Sequence, residues 1–311
     1  FIVMTHVNGV LQATQLQPFS PNFQEVNTAF TFAGGFLFQH LSIREPFPSF
    51  ILRRMQNVLV PYVLISIPAL LVYTIGGKVH PHIDLGVFPD WFIPIYLLFT
   101  GLQLGPLWFI PMIFLIYLFT PLIRQVDHYN GWGYALAIPL SFVMAMTLFL
   151  RPEFNENPPQ AALHYLPIFL LGMACSRFNK NISIWAQRAW VWVTALALFI
   201  VLSYLTALWP SDVQLPAKTM MLLSIFLVAS RAENLHARAI DILAGYSFGI
   251  FFLHGYFVAA MRILEERGLF SFAASGLNLI LFTALVCLAC IAVIQAVKRI
   301  FGRYSRYLVS T

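Results

Sequence analysis

The sequence predicts an all-α fold: a polytopic bundle of about ten transmembrane helices that forms one integral-membrane domain over residues 1–311. Composition and the distribution of basic residues predict this class. Of the 311 residues, 59% are hydrophobic and 10% are charged, and the mean hydropathy is +0.78. A soluble domain usually carries about 25% charged residues, so this chain has too few to cover a globular surface.

Ten apolar runs follow one another along the chain, and a transmembrane helix needs about 20 such residues. The first run starts at Phe1, without a methionine, so we expect a span whose beginning precedes this sequence. The runs centre on residues 1–13, 26–42, 58–76, 107–123, 132–150, 161–176, 187–209, 215–230, 240–261 and 276–297.

One further apolar run, 91–104, is short and is interrupted by Pro94 and Gly101. If it does not cross the membrane, 13 of the 18 lysines and arginines fall on one side of the bilayer and 5 on the other. If it crosses, the division becomes 7 against 11. Cytoplasmic loops carry the excess of basic residues. We therefore predict that both termini are cytoplasmic and that 91–104 is a re-entrant or interfacial segment on the outer side.

Charge and cysteine usage limit the partners. The net charge of +6 is explained by basic inner loops that face anionic lipid, so the expected partner is the bilayer and not nucleic acid. The three cysteines form neither a disulfide framework nor a paired zinc pattern. His80 and His82 lie near Asp84, but further ligands at fixed spacing are lacking, so we expect no metal site.

Two histidines lie within predicted spans, where ionisable residues are functional candidates. Counted from the outer ends of their spans, His6 lies roughly 9 Å and His254 roughly 12 Å inside, at about 1.5 Å per residue. Ser247 precedes His254 by seven residues and shares its helix face. A neutral imidazole can take a proton from a hydroxyl. The alternative is that each histidine makes a hydrogen bond between helices.

A cluster of arginines precedes the third span, in SIREPFPSFILRRMQNVLVPY. Arg44, Arg53 and Arg54 would lie at the inner face of the membrane. Their planar guanidinium groups suit phosphate, which they bind bidentately. The alternative is that they only fix the topology.

The order of these features resembles acyltransferase family 3, a family of membrane-bound bacterial enzymes that O-acylate surface glycans and related acceptors. MTHVNGV is similar to the stretch with the family's catalytic histidine, and FTFAGGFLF to its second span, with Gly34 where serine is usual. FILRRMQNVLVPY resembles the start of the third span, with Arg54 at the first arginine position and Asn57 at the second. LWFIPMIF, FLLGMACSRF and YSFGIFFLH resemble later segments, so the resemblance covers essentially the whole chain.

The resemblance implies an acyl-CoA-dependent O-acyltransferase, multi-pass in the bacterial inner (cytoplasmic) membrane. It would transfer an acyl group, acetyl in the first instance, from acyl-CoA to a hydroxyl of a cell-surface or exported carbohydrate. Acyl-CoA is then a co-substrate, and no bound cofactor is expected. His6 would be the general base, which is worth about 10²–10⁴ in rate. The phosphates of CoA would bind Arg53, Arg54 and Arg44.

The other expected site residues form the substrate pocket. Trp108 and the segment 77–106 would cover the outer mouth, where Trp108 would stack on sugar. The pocket wall is expected to contain His254, Ser247, Tyr246 and Asn8. A transporter or flippase for a lipid-linked glycan or small molecule is the alternative function. The lack of acidic or basic residues deep in any span argues against an ion-coupled carrier.

Overall fold

The structure is a computed structural model of the chain, and every regular element in the part it describes is a helix. This confirms the all-α class that composition predicts. The described residues are 2–11, 27–78, 80, 83–153, 156–208, 210–231, 238–269 and 275–309. His82, weighed above as a metal ligand, lies outside them.

Over its described residues, each of the ten apolar runs is mainly helical, and the run 107–123 is divided between two helices. A π-helical turn, Phe38–Ser42, continues the second helix, and another, Met55–Leu59, lies inside the third. The helices are α1 (Ile2–Leu11), α2 (Asn27–Leu37), α3 (Phe47–Thr74), α4 (Ile93–Thr100), α5 (Phe109–Leu118), α6 (Thr120–His128), α7 (Asn130–Thr147), α8 (Pro158–Arg177), α9 (Asn179–Ala186), α10 (Ala189–Leu208), α11 (Pro210–Arg231), α12 (Arg238–Glu266), α13 (Gly276–Phe301) and α14 (Ser305–Val309).

Length and composition identify three stretches of the described chain that can cross a membrane as single helices: Phe47–Thr74, Ala244–Glu266 and Gly276–Leu308. Two bent pairs raise the number to five if each pair is one span. One joins α4 to Gly105–Leu118 with a bend of 70°, and the other joins α8 to α9 with a bend of 81°. The chain is therefore a helical membrane protein. Ten crossings with both termini cytoplasmic stay a prediction.

The first bent pair, which we call the elbow (residues 93–118), contains the run predicted to be re-entrant or interfacial. The elbow turns at Gly101, whose φ of +78° is left-handed and favours glycine. A Cβ there would lie 2.3 Å from the Cα of Trp108. Glycine is thus required both by the backbone conformation and by the close approach of the two arms. The side of the membrane on which the elbow lies stays a prediction.

Two glycines bring α2 and α8 into backbone contact. A Cβ on Gly35 would lie 2.0 Å from the carbonyl oxygen of Phe169, and one on Gly172 would lie 2.1 Å from that of Phe32. Small residues permit such approach between membrane helices. The stretch FTFAGGFLF therefore places α2 directly against the most buried helix of the bundle.

The first helix packs against α12 and α13. Val3, Val7 and Leu11 of α1 are buried in a cluster with Val258 of α12 and Cys290 of α13. Because these apolar residues recur every three to four positions, they form one helix face. This packing determines what His6, on the same helix, lies beside.

Candidate active site

His6 lies on the face of α1 that packs into the bundle. Val3 precedes it by three residues and Val10 follows it by four, and both valines are buried. Residues at these spacings share a helix face. The His6 side chain is itself partly buried, as expected for a group that faces other helices.

His254 lies in the middle of α12 and is fully buried. Its Nδ1 is 2.9 Å from the backbone carbonyl oxygen of Ile250, one turn earlier. A carbonyl oxygen only accepts hydrogen bonds, so the ring hydrogen resides on Nδ1, which donates it. In the neutral ring, Nε2 then carries a lone pair. That atom is buried and has no hydrogen-bond partner among the described residues.

The structure brings the two histidines together. Their ring centroids are 5.3 Å apart, with 48° between the ring planes. Phe251 lies 6.1 Å from His254, and it packs in turn on Phe30 at 5.3 Å and Phe109 at 5.6 Å. Aromatic rings from α2, α5 and α12 thus form a cluster beside His254.

Asn8 adds a second polar group on α1. Its Oδ1 is buried and has no hydrogen-bond partner within the described chain. On α13, which packs on α1, the Oγ1 of Thr283 is in the same state. Buried polar atoms are normally hydrogen-bonded, so these two unpaired oxygens on neighbouring helices are candidate contacts for a polar ligand.

The elbow holds the histidine-bearing part of α12 in place. Gly255 lies against Leu104 and Pro106, and a Cβ there would be 2.8 Å from Leu104 Cδ2. The next residue, Tyr256, donates its hydroxyl to the carbonyl oxygen of Ile65 on α3. His254 is therefore followed by two residues that fix α12 against neighbouring segments.

Polar contacts also tie the elbow to α3. The Nε2 of Gln103 donates to Ser66 Oγ at 2.6 Å and to the Tyr62 hydroxyl at 3.1 Å. Trp108, expected at the outer mouth, is only 5% exposed and packs on Tyr165, with 5.8 Å between ring centroids. In this structure Trp108 is part of the core. Its stacking on sugar stays a prediction.

Two further predicted pocket residues are placed apart from the pair. Ser247 is exposed and donates its hydroxyl to the carbonyl oxygen of Ala244 at 2.7 Å. The Nζ of Lys298 lies over the Tyr246 ring, 5.0 Å from the ring centroid. At about 1.5 Å per residue, both lie roughly 10–12 Å before His254 along the helix. Their assignment to the pocket wall stays a prediction.

The three predicted phosphate ligands have different surroundings. Arg53 is 56% exposed and forms an ion pair with Glu45. The guanidinium of Arg54 lies 5.2 Å from the centroid of Phe50 and 5.3 Å from that of Tyr117. Such stacking is a cation–π contact. Arg44 is exposed and lines a cavity of about 690 Å³.

That cavity, which we call the arginine cavity, lies between the ends of several helices. Three guanidinium groups line it, with one carboxylate and two imidazoles. The lining residues are Gln39, His40, Leu41, Ile43, Arg44, Arg124, Asp127, His128, Ser176 and Arg177. With both histidines taken as neutral, the three arginines outnumber the one aspartate. The lining is therefore positively charged and favours an anion.

A hydrogen-bond network organises one wall of the arginine cavity. Asp127 Oδ1 accepts from Gln39 Nε2 at 2.9 Å and from the Tyr134 hydroxyl at 3.0 Å, and it lies 3.6 Å from Arg177 Nε. Arg124 donates to the carbonyl oxygen of Ser42 at 3.2 Å. The wall is therefore fixed in shape before any ligand arrives.

Arg124 stands out among the cavity residues. Its Nε is buried and has no hydrogen-bond partner in the described part of the chain. The pKa of its guanidinium is lowered, because the effect of burial exceeds the opposing effect of the nearby Glu45 charge. A charged donor in this state is well suited to an anionic ligand.

Sequence reasoning used Arg124 and Arg177 only to count charges for topology and did not assign them to a site. They lie on different helices, Arg124 in the middle of α6 and Arg177 at the last residue of α8, 53 residues apart in the chain. The predicted topology put both on the inner side, together with Arg44. Their proximity, however, arises from the packing of α2, α6 and α8, which no local pattern encodes.

Lys218 is a buried charged group in α11. It is 2% exposed, and its Nζ donates to Gln214 Oε1 at 3.2 Å. It lies three residues inside the predicted run 215–230, near the end of that span.

Fold and site together define a helical membrane protein with a pair of imidazoles, one fully and one partly buried, and a separate cationic cavity. The family model described as an acyltransferase domain, that of acyltransferase family 3, matches residues 1–299. The chain belongs to this family and is a membrane acyltransferase. In comparisons with curated proteins and with solved structures, nothing matches it.

Proposed function

We propose that this protein transfers an acyl group, acetyl in the first instance, from acyl-CoA to a hydroxyl of a cell-surface or exported carbohydrate, in the bacterial cytoplasmic membrane. The observation that carries the proposal is the pairing of His6 with His254, 5.3 Å apart between ring centroids, inside a bundle of this family. A partly buried imidazole on a mainly apolar helix is suited to remove a proton from a hydroxyl.

The arginine cavity supports acyl-CoA as the donor. Arg44, Arg124 and Arg177 line it, and guanidinium groups bind phosphate oxygens bidentately. By the charge distribution of the loops, this cavity faces the cytoplasm, where acyl-CoA would arrive. Arg53, which already pairs with Glu45, has a smaller part in this arrangement than the sequence suggested.

In the proposed reaction, the acceptor hydroxyl oxygen attacks the carbonyl carbon of the thioester. A carbon–oxygen bond forms and the carbon–sulfur bond breaks. His6 takes the hydroxyl proton during the attack and then gives it to the leaving sulfur, so the products are the carbohydrate ester and CoA thiol. Asn8, whose Oδ1 is unpaired, would accept a hydrogen bond from another hydroxyl of the acceptor.

Radiolabelled transfer tests the proposal. The protein in nanodiscs would receive labelled acetyl-CoA and a crude surface-glycan acceptor. We expect label on the glycan, reduced about 10²–10⁴-fold in His6→Ala. Gly9→Ala is the matched control on the same helix, because a Cβ at Gly9 meets no atom within 4 Å. Near-normal transfer by His6→Ala would show that His6 is not the base. Absence of transfer and of CoA binding in the wild type would refute the function itself.

A further inference from the structure

The two histidines of the pair differ in how they are held. His254 is fully buried, and its Nδ1 is 2.9 Å from the Ile250 carbonyl oxygen. This bond fixes both the ring orientation and the tautomer, since the carbonyl can only accept. The His6 ring is only partly buried. One imidazole is thus immobilised by its own helix, whereas the other keeps some exposure.

The fixed ring presents an unused acceptor. His254 Nε2 is buried and has no hydrogen-bond partner among the described residues. Its neighbours in the chain, Phe251 and Phe252, are apolar and equally buried. Leaving a polar atom unpaired in such surroundings is unfavourable. A third phenylalanine would fill the space without that cost, so simple packing does not explain an imidazole at this position.

The His6 ring is within reach of that acceptor. Two imidazoles joined by an N–H···N hydrogen bond of about 3 Å have centroids about 5 Å apart, and these centroids are 5.3 Å apart. The separation of the two rings is therefore the one that such a bond requires.

We propose that His254 is a positioning residue for His6. Its Nε2 accepts a hydrogen bond from one ring nitrogen of His6 and so leaves the other His6 nitrogen unprotonated for the acceptor hydroxyl. This inference rests on the proposed function, which makes His6 the base. A base oriented by a third group is a recurring arrangement in acyl transfer.

Every proton in the proposed step is accounted for. Before attack, His6 carries one hydrogen, which points to His254 Nε2. On taking the hydroxyl proton, His6 becomes an imidazolium, and its bond to His254 becomes charge-assisted and therefore stronger. His6 then gives the proton to the thiolate sulfur as the carbon–sulfur bond breaks. His254 keeps its single hydrogen on Nδ1 throughout.

Kinetics of three variants test the assignment. His254→Phe removes the acceptor, and we expect kcat to fall about 10²-fold or more with both KM values unchanged. His254→Gln provides a side-chain oxygen near the Nε2 position. We expect its kcat to be at least about tenfold higher than that of His254→Phe. His164→Phe is the matched control, because His164 is also buried and bonded to a carbonyl, that of Phe149 at 2.9 Å. We expect its kcat to stay within about threefold of wild type.

Two kinetic results would overturn the proposal: a His254→Phe variant with wild-type kcat, or a glutamine variant no better than phenylalanine. Nitrogen-15 NMR of histidine-labelled wild-type protein provides a readout that does not depend on turnover or on the folding of a variant. We expect the Nδ1–H tautomer at His254, and an Nε2–H tautomer there would refute the proposal. If wild type transfers no acyl group yet shows the expected tautomer and a His6 signal that shifts in His254→Gln, the proposed function fails and the pairing stands.

Discussion

At the residue scale, Arg53 and Arg124 are distinguished by their partners. Arg53 is neutralised by Glu45 and is largely exposed. Arg124 is anchored to Ser42 through one nitrogen and has another that is buried and unpaired within the described chain. Exposed ion pairs are worth about 0–1 kcal/mol, whereas hydrogen bonds to charged groups are worth about 1.5–3 kcal/mol. The two residues should therefore differ in how much each contributes to the binding of acyl-CoA, whose phosphates are anionic.

We predict that Arg124→Gln raises the KM for acyl-CoA about 10–100-fold, which corresponds to the loss of one charge-assisted hydrogen bond to phosphate. Arg53→Gln is the matched control and should change this KM less than about threefold. Initial rates against acyl-CoA concentration measure both. Thermal unfolding of the purified variants checks that Arg124→Gln remains folded. Equal KM values in the two variants would show that the arginine cavity does not bind acyl-CoA.

At the scale of helices, the bundle depends on glycines at two kinds of contact. Gly35 and Gly172 let the backbones of α2 and α8 touch. Gly101 forms the turn of the elbow, in a left-handed conformation against Trp108. Each contact lies between an element of the site and its support, since α2 contributes aromatic rings behind His254 and the elbow packs on Gly255.

We expect Gly172→Ala to separate α2 from α8, because the added Cβ would lie 2.1 Å from the Phe32 carbonyl oxygen. Overpacking of this kind costs about 1–3 kcal/mol or more. Gly245→Ala is the control, since a Cβ there meets nothing within 4 Å and alanine favours helix. Thermal unfolding in detergent should show a lower midpoint for the first variant only. An unchanged midpoint in Gly172→Ala would contradict the close approach.

The elbow gives a second prediction at this scale. Gly101→Ala combines a left-handed φ with a contact of 2.3 Å to Trp108 Cα. Gly77→Ala shares the left-handed φ of +62° but meets no atom within 4 Å, so it isolates the conformational cost of about 1–2 kcal/mol. We expect the Gly101 variant to lose clearly more stability and also acyl transfer. Similar losses in the two variants, measured by thermal unfolding and by labelled transfer, would show that the elbow tolerates a side chain.

At the scale of the whole molecule, helix length and apolar runs give different numbers of membrane crossings. Three to five spans satisfy length and composition in the described chain, whereas the apolar runs predict ten. The two counts differ because several apolar runs form described helices that are too short to cross a membrane alone. Examples are α1 and the 14-residue stretch Ala189–Leu202. The position of the elbow decides the orientation of everything that follows it.

Cysteine labelling from each side of the membrane tests the topology. In a background with Cys175, Cys287 and Cys290 replaced, Val87→Cys and Ile184→Cys provide two exposed positions. Three predicted spans lie between these positions if the run 91–104 does not cross. We therefore expect an impermeant thiol reagent to label only Val87→Cys from outside and only Ile184→Cys from inside. Labelling of both from the same side would mean that the elbow crosses the membrane.

By itself, the sequence determined the class, the helices and the pair of helices that carry the histidines. These properties depend on local quantities: the apolar content of each run, its length, and the spacing of residues on one helix face. His6 and His254 could be named because a polar group in an apolar run is visible without knowing the fold. The short helices α6 and α9 were not predicted, since they follow from bends and not from apolar length.

Only the tertiary structure decided which side chains meet. It placed the two imidazoles in contact, assigned the tautomer of His254 through Ile250, and gathered Arg44, Arg124 and Arg177 around one cavity. It also placed Ser247 and Tyr246 apart from the pair. The physical reason is that rotation and spacing between helices depend on contacts between distant residues, such as Gly35 against Phe169. A helix's own sequence fixes its faces, and its neighbours fix what each face touches.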